Sequence, residues 1–500
     1  MSVRLLSRPV PPVPDVRRFA RWPDGALLAP AAAALAIMLW GLNGPSYWRD
    51  EADTVSAVAR SLPQLIRMLG HVDAVHGLYY LLLWPVAQVA GTGEIATRLP
   101  SALAMAAAAL GVAAIARRLV SRRAALCAGL LFAALPEASR QGHNARPYAM
   151  VIAAGVLSSY LLLRVAEDPR RVRVAGYGLS LVLLGYLHMF ALLLVPAHAI
   201  ALAVPGGVRP HQLFRRWLAA AAAACAAVVP LATLGWAQRG QIGWISRPGW
   251  HEASQLVVAL TGGAVLASGL IGLLAAGGAV RPGRSGPGGG GRRLVWLAVP
   301  WLVLPPVVLF AVSAVKPVYY LPYVLFCLPA GALLGGAFLA GLSWPARAAA
   351  AALAAALIVP AQIAIRVPGS GGSLWPADQI LAARAQPGDA IIYPQGGIPP
   401  WDLAYADGFG RLRNIGQADS GAATGRLYGV SAPRSVLLHR ECGVRRVWVA
   451  EIGPQWRSLS GYLAPGFRLA GQWEPFGAAM RLWLYQQAGA AGGPDGACCC

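Results

Sequence analysis

Five short stretches hold most of the side chains that could do chemistry in this 500-residue chain. "SYWRDEADT" (46–54) sets Asp50, Glu51 and Asp53 beside Arg49, and "HVDAVHGLYY" (71–80) supplies His71, Asp73, His76, Tyr79 and Tyr80. "RQGHNARPYAM" (140–150) brings Arg140, His143, Asn144, Arg146 and Tyr148, "GYLHMF" (185–190) brings His188, and "VKPVYYLPY" (315–323) brings Lys316, Tyr319 and Tyr320. Carboxylates can take a proton from a hydroxyl, cations can neutralise an anionic leaving group, and tyrosines can donate hydrogen bonds to either partner. Asp73 and His76 have the chemistry to hold hydroxyl groups or a divalent cation. Glu51 and Asp53 are read either as site residues or as a solvated loop, His71 as surface, and Trp48, Trp84 and Trp244 as an interfacial belt.

These stretches sit at the ends of apolar runs. With 57% hydrophobic and 12% charged residues, the chain has about half the charge of an ordinary soluble protein and reads as an α-helical polytopic membrane protein. Apolar runs of about 20 residues predict about eleven spans: 25–42, 96–116, 124–141, 147–163, 174–187, 189–204, 217–236, 255–280, 294–313, 321–342 and 348–365. A net charge of +22 would suit nucleic acid, but the basic residues punctuate apolar runs instead of forming a patch, so nucleic acid is excluded as a partner and the lipid bilayer takes its place. The seven cysteines have neither metal-ligand spacing nor a disulfide framework.

Arginine sets the orientation. Placing residues 1–24, an Arg-rich amino terminus, in the cytoplasm puts Arg117, Arg118, Arg122, Arg123, Arg164, Arg170, Arg171, Arg173, Arg215 and Arg216 inside, with more than twice as many basic residues inside as outside before residue 366. The transmembrane domain then covers 25–365, and a long external loop (43–95) carries the first carboxylates. Its apolar second half reads as an interfacial or re-entrant helix, whereas the Gly-rich stretch 281–293 reads as a flexible linker. After residue 366 the texture turns polar. "WPADQILAARAQ" has helical spacing, and "DAIIYP", "VRRVWVAEI" and "MRLWLYQQ" read as strands, which predicts a small extracytoplasmic α/β domain over 366–487 and a disordered tail over 488–500. All five stretches fall at predicted external ends, where ionisable groups at one membrane level imply an enclosed polar site.

The combination of "YWRDEADT", "HGLYYLLLWPVAQVAGTGEIATRLPSALAM" and "HNARPYAMVIAAGVLSSYLLLR" resembles the GT-C class of polytopic glycosyltransferases, nearest the family 39 branch of protein O-mannosyltransferases and aminoarabinose transferases. The resemblance is dense over 45–165 and thinner over 313–330, and does not reach the tail. It implies a polyprenyl-phosphate sugar as donor, transfer of a mannose-like sugar on the external face with inversion, and an acceptor hydroxyl on protein, lipid or glycan. It also implies Asp50 as general base, with Glu51 orienting the acceptor or a cation. Arg146 and Lys316, the single lysine among 42 basic residues, are the expected partners of the donor phosphate, helped by Tyr148, Tyr319 and Tyr320. Two positions depart from the family pattern: Asn144 replaces an acidic residue, and Pro322-Tyr323 replaces Arg-Tyr. A transporter or flippase of lipid-linked sugars is the competing class, but internal repeats and broken midplane helices, its usual marks, are not evident.

Overall fold

The structure, a computed structural model, describes residues 25–203, 210–261, 290–369, 372–394, 399–452, 463–475 and 480–488. The expected cytoplasmic terminus 1–24, most of the span 255–280, residues 281–289 of the linker, and 489–500 of the tail lie outside the described residues.

Among the described residues, six helices are long and apolar enough to cross a membrane: Glu94–Leu119 (α5), Tyr148–Glu167 (α8), His211–Ala237 within α11 (Pro210–Ala237), Gly290–Val315 (α13), Leu321–Gly341 and Trp344–Ala364 (α15). Shorter apolar helices include Gly25–Leu39 (α1) and Met189–Leu202, so the predicted count of eleven exceeds what helix length alone supports. The span expected over 124–141 breaks at Pro136 into α6 (Arg122–Ala134) and α7 (Pro136–Gly142), because proline gives residue 136 no amide to donate and biases Leu135 out of the helical region (ψ 127°). Residues 321–327 form a 3₁₀ turn before α14 (Leu328–Gly341).

Small residues let these helices approach closely, as is usual where no hydrophobic drive separates lipid from neighbour. A Cβ at Gly336 would lie 2.3 Å from Ala128 Cα, so glycine is what allows α14 to cross α6. Ser121 caps α6 by accepting from the Ala124 N–H, and Arg117 and Arg118 close the last turn of α5, where cations suit the helix dipole. Arg118 pairs with Glu167, Arg216 Nη1 donates to the Pro169 carbonyl (2.6 Å) and Arg173 Nη1 to the Arg164 carbonyl (3.3 Å). The Arg-rich connections therefore gather at one end of the bundle.

The opposite end carries residues 43–95, which are mostly helical, not an open loop: α2 (Arg49–Val58), α3 (Leu62–His71), a 3₁₀ turn (Ala74–His76) and α4 (Gly77–Ala90). The apolar second half, α4, buries Tyr79, Tyr80 and Leu83 in the main helical core. The C-terminal region forms a five-stranded sheet in the order β2-β1-β5-β7-β6 (Arg413–Asn414, Ala390–Ile392, Arg446–Ile452, Met480–Gln487 and Phe467–Trp473). The first three strands run parallel, and β7 and β6 pair antiparallel. Helix α16 (Trp375–Arg384) packs Ala377 and Leu381 on the sheet with Trp401, Tyr405 and Phe409, and Tyr47, Ala52 and Val55 join the same core. Helix α2 is thus a wall shared by the membrane helices and the sheet region.

Candidate active site

Local capping chemistry starts α2 at Arg49. Trp48 is extended (φ −98°, ψ 172°), and Glu51, three residues on, accepts from the Trp48 N–H at 3.3 Å. Glu51 is 1% exposed. Its Oε1 also accepts from Arg98 Nε (2.8 Å) and the Ala145 N–H (2.7 Å), and its Oε2 from Arg98 Nη2 (2.7 Å). Arg98 Nη1 donates to the Leu42 and Pro45 carbonyls. Both carboxylate oxygens are engaged, so the geometry corrects the expectation that Glu51 orients an acceptor: it ties α2 to α5 and to the 143–147 turn. That anchor points its neighbour Asp50 the other way, with the side chain 24% exposed and Oδ2 4.0 Å from Arg146 Nη2.

Arg146 is the centre of the cluster. It is 6% exposed, yet makes one hydrogen bond of ordinary length, from Nη2 to His76 Nε2 (3.1 Å). Nη1 reaches the Asp50 carbonyl and the Tyr80 hydroxyl only at 3.4 Å, and Nε has no hydrogen-bond partner. Tyr80 Oη donates to Asp73 Oδ2 (2.8 Å), and Asp73 Oδ1 faces His76 Nδ1 at 3.4 Å. Asp73 Oδ2 is thus taken by Tyr80 and His76 Nε2 by Arg146, while His76 Nδ1 has no hydrogen-bond partner. Among the described residues, no group of three or more His, Cys, Asp or Glu side chains could hold a metal ion.

Two carboxyls here have displaced protonation equilibria. Burial, reinforced by Asp50 and Asp73, pushes Asp53 up to about 8. Burial opposes ionisation of Asp73 as well, but His76, Arg146 and the Tyr80 hydroxyl together pull it down to about 2.

Aromatic side chains form the adjoining wall. Tyr148, Tyr320 and Tyr323 lie within electrostatic range of Asp50 and Arg146. Tyr323 stacks at 4.7 Å on His188, which lies 6.2 Å from Tyr148. A groove of about 520 Å³, lined by Trp48, Arg140, Asn144, Gln255 and Tyr320 among others, opens beside the cluster.

Other expected residues are placed elsewhere. His143 is held between two carbonyls, Ser139 at 2.8 Å and Trp40 at 3.1 Å, and Asn144 Oδ1 accepts from Trp48 Nε1 at 3.0 Å. Both fasten the 143–147 turn to its neighbours and leave little for a substrate. Tyr79 is fully buried behind Tyr80. Tyr319 turns its ring onto Phe310 (4.2 Å), away from the cluster. Lys316 is exposed, with Nζ 4.1 Å from the Trp236 ring centroid, a cation–π seat that does not include Arg146 or Asp50. The residues that sequence reasoning missed are Arg49, exposed and within electrostatic range of Asp53, Tyr320 and Tyr428; Tyr323; and Tyr428, whose Oη donates to Asp53 Oδ2 at 3.3 Å. Arg49 stands in the first stretch quoted above. No local pattern marks Tyr428, which arrives from the sheet region.

Comparison with known proteins bears on the fold around this cluster. Residues 77–236 match the sequence model of the family described as dolichyl-phosphate-mannose-protein mannosyltransferase. No curated protein matches the chain. The crystal structure of ArnT from Cupriavidus metallidurans bound to undecaprenyl phosphate is similar with a TM-score of 0.59 and 14% identity, over 94% of this chain and 99% of that one. The apo state of ArnT gives the same values. The Archaeoglobus fulgidus oligosaccharyltransferase is a weaker match, with a TM-score of 0.45 and 15% identity over 85% of this chain and 67% of that one. Residues 77–236 thus carry the mannosyltransferase family's sequence pattern, and the chain as a whole has the fold of the GT-C membrane glycosyltransferases.

Proposed function

We propose that this protein transfers a mannose-like sugar from a polyprenyl-phosphate donor to an acceptor hydroxyl, with inversion, on the external face of the membrane. The observation that carries the reading is the pairing of a reachable carboxylate, Asp50, with a buried guanidinium, Arg146, that lacks a close anionic partner. A buried cation with open donors favours an incoming anion. In this reading Arg146, with Arg49 and the Tyr320 and Tyr323 hydroxyls nearby, takes the donor phosphate, and the phosphate leaves carrying its own charge. Asp50 accepts the proton of the acceptor hydroxyl as the anomeric carbon becomes oxocarbenium-like, and a single carboxylate suffices for inversion. The bound undecaprenyl phosphate of the similar ArnT structure supports a polyprenyl donor. The arginine-rich end of the bundle supports a cytoplasmic assignment for that end, which leaves the site and the sheet region external.

The test is transfer from labelled polyprenyl-phosphate sugars in purified membranes, with the anomeric configuration of the product analysed. Asp50→Asn is expected to reduce turnover by about 10² to 10⁴ while retaining undecaprenyl phosphate binding. Asp50→Asn turning over at the wild-type rate would remove Asp50 as the base.

A further inference from the structure

The contacts around Arg146 reach beyond a list of its neighbours, because they fix which atom carries which proton. A guanidinium has donors only and stays protonated. His76 Nε2, 3.1 Å from Arg146 Nη2, is therefore the acceptor, which leaves the ring proton on Nδ1, a buried nitrogen 3.4 Å from Asp73 Oδ1 with no hydrogen-bond partner. Asp73 is itself pinned. It is the one non-glycine residue with positive φ (60°) among the described residues, its N–H donates to Gln241 Oε1 (3.2 Å), the next N–H donates to Gln238 Oε1 (2.9 Å), and Tyr80 donates to its second oxygen. A strained backbone held by three groups is the kind of over-determined position that persists where geometry matters.

We propose that His76, whose Nε2 accepts from Arg146, is a positioning residue that fixes the direction of the guanidinium and so determines how tightly the donor phosphate is bound. The inference rests on the donor-phosphate role given to Arg146 above. The physical content is a competition. Arg146 Nη2 lies 4.0 Å from Asp50 Oδ2, near enough that the guanidinium would swing into a close ion pair if nothing else accepted from it. By accepting from Nη2, His76 keeps that pair open. Asp50 stays available for a proton, and Arg146 Nε keeps no partner in the protein. Other charged and titratable groups around these three side chains are Arg49, Asp53, Tyr148, Tyr320 and Tyr323, and none of them bonds His76. His188 reaches it only electrostatically.

The experiment is a double-mutant cycle on the full chain reconstituted in nanodiscs, read as affinity for tritiated undecaprenyl phosphate, with thermal unfolding recorded for every variant. His76→Leu and Arg146→Gln are each expected to weaken binding about tenfold, and the double variant to weaken it little more than either alone, because coupled residues are not additive. His76→Gln, whose amide oxygen can still accept from Nη2, should stay within about threefold of wild type, a rescue that a purely structural role would not require. Additive losses, or His76→Leu binding like wild type, would overturn the proposal. So would a chelator that weakens binding in the wild type but not in His76→Leu, because His76 would then be a cation ligand. The cycle uses binding alone, so it stands if sugar transfer is not found, whereas wild-type protein that fails to bind the lipid phosphate removes both readings.

Discussion

Glu51 separates what the sequence suggests from what the structure does with it. Glu51→Gln keeps the shape of the side chain but removes the charge opposite Arg98, which is 1% exposed and has only the Leu42 and Pro45 carbonyls as further acceptors. Two charge-assisted hydrogen bonds, at about 1.5–3 kcal/mol each, are weakened. Breaking one side of a buried ion pair costs about 3–5 kcal/mol, so the two ways of reckoning agree. Thermal inactivation of detergent-solubilised protein should therefore shift down by several degrees in Glu51→Gln, with turnover reduced because α2 carries Asp50. Glu51→Leu combined with Arg98→Leu should recover part of the lost stability, since no uncompensated charge remains. If Glu51→Gln melts like the wild type and raises only the KM for the acceptor, then the buried-anchor assignment is wrong and Glu51 touches substrate.

Three further outcomes are expected. Arg49→Gln should weaken undecaprenyl phosphate binding by about tenfold, whereas Lys316→Met, removing a cation seated on Trp236, should stay within about threefold; equal effects would return Lys316 to the site. Thermal stability should fall as pH rises from about 4 to about 8, where folded Asp53 keeps a proton that the unfolded chain has lost, and it should also fall as pH drops from about 4 toward 2, where Asp73 takes up a proton and loses its ionic contact with Arg146. Asp53→Asn should flatten the decline between about pH 4 and 8, and an unchanged decline would place its origin elsewhere. Single cysteines at the exposed positions Ser61 and Ser420, in a cysteine-free background, should react with an impermeant reagent in intact cells; reaction only after lysis would reverse the orientation of the site.

Much of this architecture was legible because it is written in local signals. Apolar runs found the membrane helices, arginine clusters found the connections that meet at one end, and alternation found the three strands over 389–394, 444–452 and 480–487 that the sheet contains. Within residues 43–95, α2 and α3 were missed because each is only ten residues long and α2 is polar over its first turns, whereas the apolar α4 was expected. Chemistry-bearing residue types were recognisable too, but not their roles. Whether Glu51 or Asp50 is free depends on Arg98, 47 residues away, and whether Lys316 faces the cluster depends on Trp236, 80 residues before it, which draws its ammonium away. Composition records which groups exist. Only packing decides which of them are already satisfied.

The position of α2 between two cores has a consequence for exchanging parts among related chains. Tyr47, Ala52 and Val55 belong to the sheet region's interior, Ala57 and Val58 belong to the helical bundle's, and Tyr405 reaches across to the Tyr47 carbonyl while Arg60 reaches the Leu427 carbonyl. A cut near residue 366 would therefore leave the membrane half with an unburied aromatic face directly beneath its carboxylates. The transplantable unit is the tail together with residues 43–60, joined by no continuous stretch of chain. A chimera that keeps them together should retain the placement of Asp50 beside Arg146, and substitutions in the tail that loosen Trp401 or Tyr405 should be felt at this candidate site.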